Sequence, residues 1–127
     1  MTVGIAASLA NADLNRLRNV AAAAIAAVYV QLHTADPTTG STAISAGSTT
    51  RNAITWNAAA GGSMSLLALA AWTNGGASET LTHVSLWDAA SAGNFLHSFA
   101  LGATQSWVNT NTFTISSFTV SRTPIAA

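Results

Sequence analysis

The sequence predicts a mainly β protein: an antiparallel β-sandwich or barrel-like domain preceded by a short N-terminal α-helix. Three observations support this. Apolar residues recur at helical spacing near the N-terminus. From residue 28 onward, short segments alternate between apolar and polar residues. Glycine, asparagine and proline separate these segments at intervals of roughly 8–12 residues, as is typical of sandwiches and barrels.

The helix is predicted over residues 11–27. Ser8 or Asn11 is a candidate cap, and Asp13 suits the first turn, where the helix dipole favours an anion. The alanine-rich stretch 21–27 has high helix propensity. From residue 28 apolar and polar residues alternate strictly, which marks the end of the predicted helix.

The chain is predicted to hold an N-terminal arm and one domain. Residues 1–10 have no strong pattern of their own, and we expect them to become ordered against a partner. Residues 11–127 form the domain, with the helix followed by a β-sandwich over 28–127. Arg16 and Arg18 lie off the apolar stripe of the helix.

The first strand is predicted from Val28 to His33, where apolar and polar residues alternate. Asp36 and Pro37 then provide turn chemistry that ends it. Residues 41–50 form a polar loop of small residues.

Further strands are predicted at 53–56, 63–72, 81–87, 95–99 and 113–120. A helix is the alternative at 63–72, and residues 113–120 form either one strand or two that divide near Ser116 and Ser117. In the third of these, Leu81, His83, Ser85 and Trp87 are expected to share one face. Residues 102–109 are expected to form a loop.

The surface must be poor in ions. Charged residues make up 6% of the chain, four arginines balance four acids, and lysine is absent. A typical soluble domain has roughly 25% charged residues. A surface of serine, threonine and asparagine is cheap to dehydrate, so it favours packing inside an assembly. A free, neutral monomer would instead tend to associate and precipitate.

The composition of the chain argues against nucleic-acid and membrane partners and against sites that need cysteine. Neutral charge does not provide the basic patch that nucleic acid needs. The apolar run 20–30 is too short to span a membrane. Without cysteine, neither a disulfide nor a thiolate metal site can form.

No catalytic, cofactor or metal site is predicted, and the chain is expected not to be an enzyme. The three histidines match no local metal-ligand motif, and no Gly-x-Ser-x-Gly nucleophile elbow occurs. Asp36 is interpreted as the cap of its own turn. A small hydrolase with a Ser/His/Asp pocket is the alternative, and it requires the histidines to lie close together.

Several sequence blocks occur in a recognisable order. They are YVQLHTADP at 29–37, RNAITW at 51–56, AAGGS at 59–63, THVSLWDA at 82–89 and GNFL at 93–96. This order resembles a family of small bacteriophage virion structural proteins, whose members also begin with a short alanine-rich helix. The resemblance implies a non-enzymatic structural role on the phage particle. Thr50 departs from it, since that position often holds an aromatic residue.

The prediction from this resemblance is a capsid decoration (cement) subunit that binds and stabilises the assembled shell. Expected partners are the major capsid protein and copies of the chain itself, as a homotrimer. The protein would be made in the host cytoplasm and reside in the virion, on the capsid surface. A short single-domain chain without a fibre shaft favours this location. The alternative is a tail or tail-fibre module that takes part in host adsorption.

Four residues are predicted to contact partners: Arg16, Arg18, Arg51 and Trp107. The two helix arginines are either solvated or in contact with the shell. Arg51 leads a strand, either as an edge charge that blocks strand pairing or as a bidentate ligand for a neighbouring subunit. Trp107 follows a predicted loop and is expected to be an exposed interface anchor. In a tail module, Trp72 would be a further exposed candidate.

Overall fold

The structure, a computed structural model, describes residues 3–122. Within that range the helix α1 spans Ala7–Leu17. The strands are β1 Val28–His33, β2 Asn52–Trp56, β3 Ser63–Leu69, β4 Trp72–Thr73, β5 Glu79–Trp87, β6 Phe95–Trp107, β7 Thr112–Phe113 and β8 Thr119–Ser121. Six of these described strands form one antiparallel sheet in the order β6-β5-β1-β2-β3-β8, and β4 pairs separately with β7. The predicted mainly β fold with a short N-terminal helix is confirmed.

The sheet curls into a half-barrel. β6 and β8 lie at opposite edges of the sheet order. Even so, the ring of Phe99 on β6 lies 5.1 Å from that of Phe118, the residue before β8. Phe118 also makes an edge-to-face contact of 5.4 Å with Trp56. One aromatic side chain therefore draws both edges toward the same interior.

The core fills the inside of this curl. Its buried members are Val30, Leu32, Ile54, Trp72, Leu81, Val84, Leu86, Leu96 and Trp107. β1 lies near the middle of the sheet, and its residues 28, 30 and 32 point inward as the alternation predicts. The opposite face of β1 carries Gln31 and His33, which are also buried. The sheet is therefore covered on both faces in this region.

The predicted assignment of β5 side chains to the two faces of the strand is wrong for Leu81. Leu81 belongs to the core together with Val84 and Leu86, and not to the face of His83. The pairing of β5 with β6 shifts register between Leu81 and His83. An extra residue in a ladder changes which face the following side chains occupy, and alternation alone does not reveal it.

The helix also differs from its predicted bounds of 11–27. It begins four residues earlier and ends at Leu17, because Asn19 adopts the left-handed conformation (φ 60°) that asparagine tolerates and that stops a helix. Residues 20–27 are not helical despite their alanine content. Asp13 consequently lies in mid-helix, and Ala6 occupies the N-cap without a side-chain hydrogen bond.

The predicted arm, 1–10, is ordered by its own domain where it is described. Ile5 forms a β-bridge with His97. On either side of this bridge, the Ala6 amide donates to the Leu96 carbonyl at 2.7 Å, and the Ser98 amide donates to the Gly4 carbonyl at 2.8 Å. This arrangement covers part of the edge of β6. Residues 1–2 and 123–127 lie outside the described residues.

The loop predicted at 102–109 is mostly strand. β6 continues to Trp107 because its second half pairs with the beginning of β5: Glu79 lies opposite Trp107, and Leu81 opposite Gln105. Glycine, glutamine and serine resemble a loop in composition, but the partner strand decides the conformation.

Candidate interaction surface

Arg51 is held within its own domain. It precedes β2, which lies between β1 and β3, so the predicted edge position is wrong. Its Nε donates to Gln31 Oε1 at 3.2 Å, and its Nη1 donates to the carbonyls of Ala89 and Ala92 at 3.1 and 2.7 Å. The guanidinium carbon lies 3.7 Å from the centre of a Trp87 ring. Arg51 thus fastens the loop after β5 to the outer face of the sheet.

A buried hydrogen-bond chain lies beside Arg51. Trp87 Nε1 donates to Ser85 Oγ at 2.8 Å, and Ser85 Oγ lies 2.7 Å from His33 Nε2. His33 Nδ1 lies 2.9 Å from the Thr42 carbonyl, which only accepts. The histidine therefore carries its proton on Nδ1 and accepts from Ser85 at Nε2. Desolvation lowers the pKa of His33, which favours this neutral form.

The Ser85–His33 pair does not resemble an accessible catalytic pair. Both side chains have no exposed surface. Asp36 instead accepts from the Thr38 amide at 2.8 Å, which is the predicted turn cap. A nucleophile needs a path to its substrate, and this serine has none.

The histidines occupy different settings. His83 lies opposite His33 in the β1–β5 ladder, and its Nδ1 is 2.7 Å from Thr82 Oγ1. His97 stacks on Phe99 at 4.0 Å between ring centres. Over residues 3–122, no three histidine or carboxylate side chains converge as metal ligands.

The polar loop 34–50 is tied down by side chains of the sheet. The Glu79 carboxylate accepts from Ser45 Oγ and from the amides of Ala46 and Gly47, at 3.1 and 3.2 Å for the amides. Farther along, Gln31 Nε2 donates to the Thr49 carbonyl, and Trp72 Nε1 donates to the Thr50 carbonyl. The loop therefore presents a fixed backbone with exposed small side chains.

Trp107 is buried, so the prediction of an exposed anchor is wrong. Its side chain is 3% exposed, its Nε1 donates to the Asn111 carbonyl at 3.0 Å, and it packs against Phe113. The extension of β6 places the indole on the inward side. Trp72, at 2% exposure, is likewise unavailable for stacking on a ligand. The accessible apolar residue at this end is Val108.

The helix places Arg16 and Arg18 on the surface, as expected. Arg18 Nη1 donates to Asn15 Oδ1 at 3.0 Å, and Arg16 lines a groove of about 610 Å³ between α1 and residues 22–26. None of the α1 residues is buried, and Leu14 and Leu17 are 60% and 86% exposed. Of the predicted partner-contacting residues, Arg18 therefore lies beside the exposed Leu14, four residues away on the helix, and Arg16 lies at the groove.

The sequence did not indicate that Leu14 and Leu17 are exposed. Leu14 and Leu17 belong to the apolar residues whose helical spacing predicts the helix. A helical pattern shows that an apolar stripe exists, but not what covers it.

In the described part of the chain, no helix has the length and apolarity needed to cross a bilayer.

Family comparison supplies independent information on function. Residues 4–123 match the model of a family described as podophage GP4 fiber I protein gp80. No curated protein matches the chain. The matched range contains α1 and all the strands named above. The chain therefore belongs to this family of podophage fibre proteins, which are structural components of the phage virion.

Proposed function

We propose that this chain is a module of the phage tail fibre that takes part in host adsorption and acts by association, without catalysis. The observation that carries the proposal is the family match over residues 4–123. The prediction that the chain is a phage virion structural protein is confirmed by this match. The family favours the tail over the capsid surface, so the tail module, given above as the alternative, becomes the main hypothesis.

A fixed loop surface supports a role in adsorption. Binding residues are commonly carried on loops that a rigid scaffold positions. Loop 34–50 is held by the Glu79 carboxylate and by Gln31. Its exposed side chains include Ser41, Thr42 and Thr49, which are uncharged hydrogen-bonding groups. Such groups suit neutral polar material on a host surface.

The proposed partners are other virion proteins and the host surface. The zero net charge supports the expectation that nucleic acid is not a partner. The buried Ser85 and His33 support a non-enzymatic role, because neither can reach a substrate. Capsid decoration, with the major capsid protein as partner, stays a prediction.

Immunogold electron microscopy of intact virions tests the proposal. Antibody raised against this chain is expected to place gold at the tail. Gold distributed over the whole shell would support decoration and overturn the tail location. Virions labelled with pre-immune serum provide the control.

Competition for host cells tests the adsorption role separately. Purified chain added before the phage is expected to slow adsorption, in proportion to its concentration. Heat-unfolded chain is the matched control. Unchanged adsorption at a saturating concentration of folded chain would contradict a direct role in host binding.

A further inference from the structure

β6 and the strands that follow it form a hairpin that does not close. Residues 108–111 make the turn, in which the Asn111 amide donates to the Val108 carbonyl at 3.0 Å. Consecutive antiparallel strands joined by so short a turn usually pair with each other. Among the described strands, however, β6 pairs with β5, β7 with β4 and β8 with β3. Within residues 3–122, the two arms of this hairpin therefore have no ladder between them.

The turn end of the hairpin is fixed by Asn74. In a closed hairpin the Trp107 carbonyl would accept from the Thr112 amide. Here it accepts from Asn74 Nδ2 at 3.1 Å, and the Asn74 amide donates to the Asn111 carbonyl at 2.9 Å. Asn74 thus takes the acceptor with which the pairing of the arms would begin.

Both arms contain a stretch of backbone outside any ladder. In the β5–β6 ladder Leu81 lies opposite Gln105 and His83 opposite Ala100, so residues 101–104 stand opposite Thr82 alone. On the other arm, residues 114–117 lie between β7 and β8 and belong to no strand. Within residues 3–122, the N–H and C=O groups of both stretches are therefore left without ladder partners.

The two stretches line a gap, which we call the hairpin slot. It consists of two adjoining cavities of about 190 and 440 Å³. Both cavities are lined by Leu101, Gly102, Ile115 and Ser117. The smaller one is also bordered by the apolar side chains of Val84, Phe99 and Phe118. The slot therefore combines free backbone groups along its walls with an apolar inner end.

Neither charge nor proline protects the edges of the slot. Residues 98–121 include no acidic or basic side chain and no proline. Exposed edges in natural proteins usually carry such residues or are covered, because an unpaired edge recruits other strands. The first half of β6 is covered by residues 4–6 of the chain itself. The second half has no such cover within the described residues, so we expect a partner to supply it.

We infer that the hairpin slot binds an extended segment of another virion protein, which adds to the free edge of β6 as a strand. A peptide backbone provides donors and acceptors at the spacing of the free backbone groups, and an apolar side chain of the guest fills the inner end. The uncharged walls favour an uncharged segment, since a charge would lose its hydration there.

The family match supports a polypeptide as the guest. The chain belongs to a family of structural virion components, so its neighbours on the particle are other proteins. The inference goes beyond host adsorption and holds wherever on the virion the protein resides.

Hydrogen exchange of backbone amides, in the purified chain and in intact virions, tests the inference. Amides in 101–104 are expected to exchange rapidly in the purified chain. In the virion they are expected to slow by about tenfold or more, because the guest strand accepts from them. Amides of β1, in the middle of the sheet, serve as a slow reference in both samples.

Two exchange results would overturn the inference. One is unchanged exchange of 101–104 in the virion, which would show that no strand pairs there. The other is slow exchange already in the purified chain, which would show that the slot closes without a guest.

A matched pair of lysine substitutions tests the position of the contact. Ser117→Lys places a charge in the slot, and Ser41→Lys places the same charge at an exposed position of loop 34–50. Virions are produced by complementation, so that a defect in infection does not prevent their recovery. Ser117→Lys should lose either the protection of 101–104 or the chain from the particle, whereas Ser41→Lys should keep both. Equal behaviour of the two variants would contradict the inference, and equal melting temperatures of the purified variants check that both fold.

Crosslinking identifies the guest. Gln105 is exposed at the larger cavity and can be replaced by a photoreactive benzoylphenylalanine during phage production. Irradiated virions are expected to yield a crosslink to a segment of a different virion protein, identified by mass spectrometry. Crosslinks to another copy of this chain alone, or to no protein, would overturn the inference. None of these results bears on whether the protein resides at the tail, which the gold labelling decides.

Discussion

Two regions of this molecule are rich in small residues but are held in different ways. They are loop 34–50 and segment 3–27. The loop is fastened to the sheet by Glu79, Gln31 and Trp72. The helix in the second segment has no buried residue. The comparison teaches that order in this protein comes from a few sheet residues aimed at backbone groups, so substitutions of those few residues should have large effects.

Ser85→Ala is expected to cause the largest loss of stability. It removes the acceptor of Trp87 Nε1 and the donor to His33 Nε2, which leaves two buried polar groups unpaired. The free energy of unfolding should fall by about 2–5 kcal/mol, measured by urea denaturation. Ser41→Ala, in the exposed part of the loop, should change it by less than about 0.5 kcal/mol. Equal effects would show that the buried chain does not support the loop.

Arg51→Ala is expected to have the next largest effect. It removes three hydrogen bonds and the contact with the Trp87 ring, and should cost about 2–3 kcal/mol in the same assay. Arg51→Lys should lose part of this, because an ammonium cannot reproduce the planar fork. Arg18→Ala on the helix should cost less than about 0.5 kcal/mol. A similar loss from Arg18→Ala would remove the contrast between the two regions.

Acidification is expected to destabilise the protein through His33. Burial lowers the pKa of this histidine in the folded state, with His83 and Arg51 acting in the same direction, so the unfolded chain binds the proton more readily. The stabilisation is fully present above about pH 6.5, the unfolded value, and is lost as the pH falls from there toward the lowered folded pKa. Burial also lowers the pKa of His97, which adds to the trend.

Melting temperatures at pH 8 and pH 5.5 measure this dependence. His97→Gln should keep most of the difference between the two pH values. His33→Gln should be less stable at pH 8 but should show a smaller difference. A difference that is unchanged in His33→Gln would assign the pH response to other groups.

Asp13→Asn is expected to have the smallest effect on folding. Its contact with Arg122 is 3.6 Å long, and the two side chains are 44% and 55% exposed. Exposed ion pairs of this kind contribute roughly 0–1 kcal/mol. The melting temperature should therefore be nearly unchanged. A marked loss would mean that α1 is coupled to the half-barrel more tightly than its packing indicates.

The sequence predicted the parts of the fold that depend on local periodicity. The alternation over 28–33 identified β1 and its inward face, and Asp36 was assigned correctly as a turn cap. The alanine run 21–27 was assigned wrongly to the helix, because propensity is local and the left-handed Asn19 overrides it. Trp107 was assigned to a loop because nothing near it in sequence shows the pairing with Glu79.

The contacts of the outer face lay beyond sequence reasoning. Arg51 donates to the carbonyls of Ala89 and Ala92, about 40 residues away. Because every residue has a backbone carbonyl, the sequence does not show which of them accept. Likewise, Ser85 and His33 are 52 residues apart. Their meeting depends on the β1–β5 pairing, and serine is too common in this chain for one copy to be singled out.

The clamp of Glu79 on loop 34–50 has a practical and evolutionary consequence. The carboxylate holds backbone amides, so the exposed side chains at Thr39, Ser41 and Ala46 can be exchanged while the path of the chain is kept. Under the adsorption role proposed above, a phage whose host alters its surface would change what it recognises by replacing a few residues in this loop. The same property makes the loop suitable for a randomised library, in which the exposed residues vary while the backbone is kept.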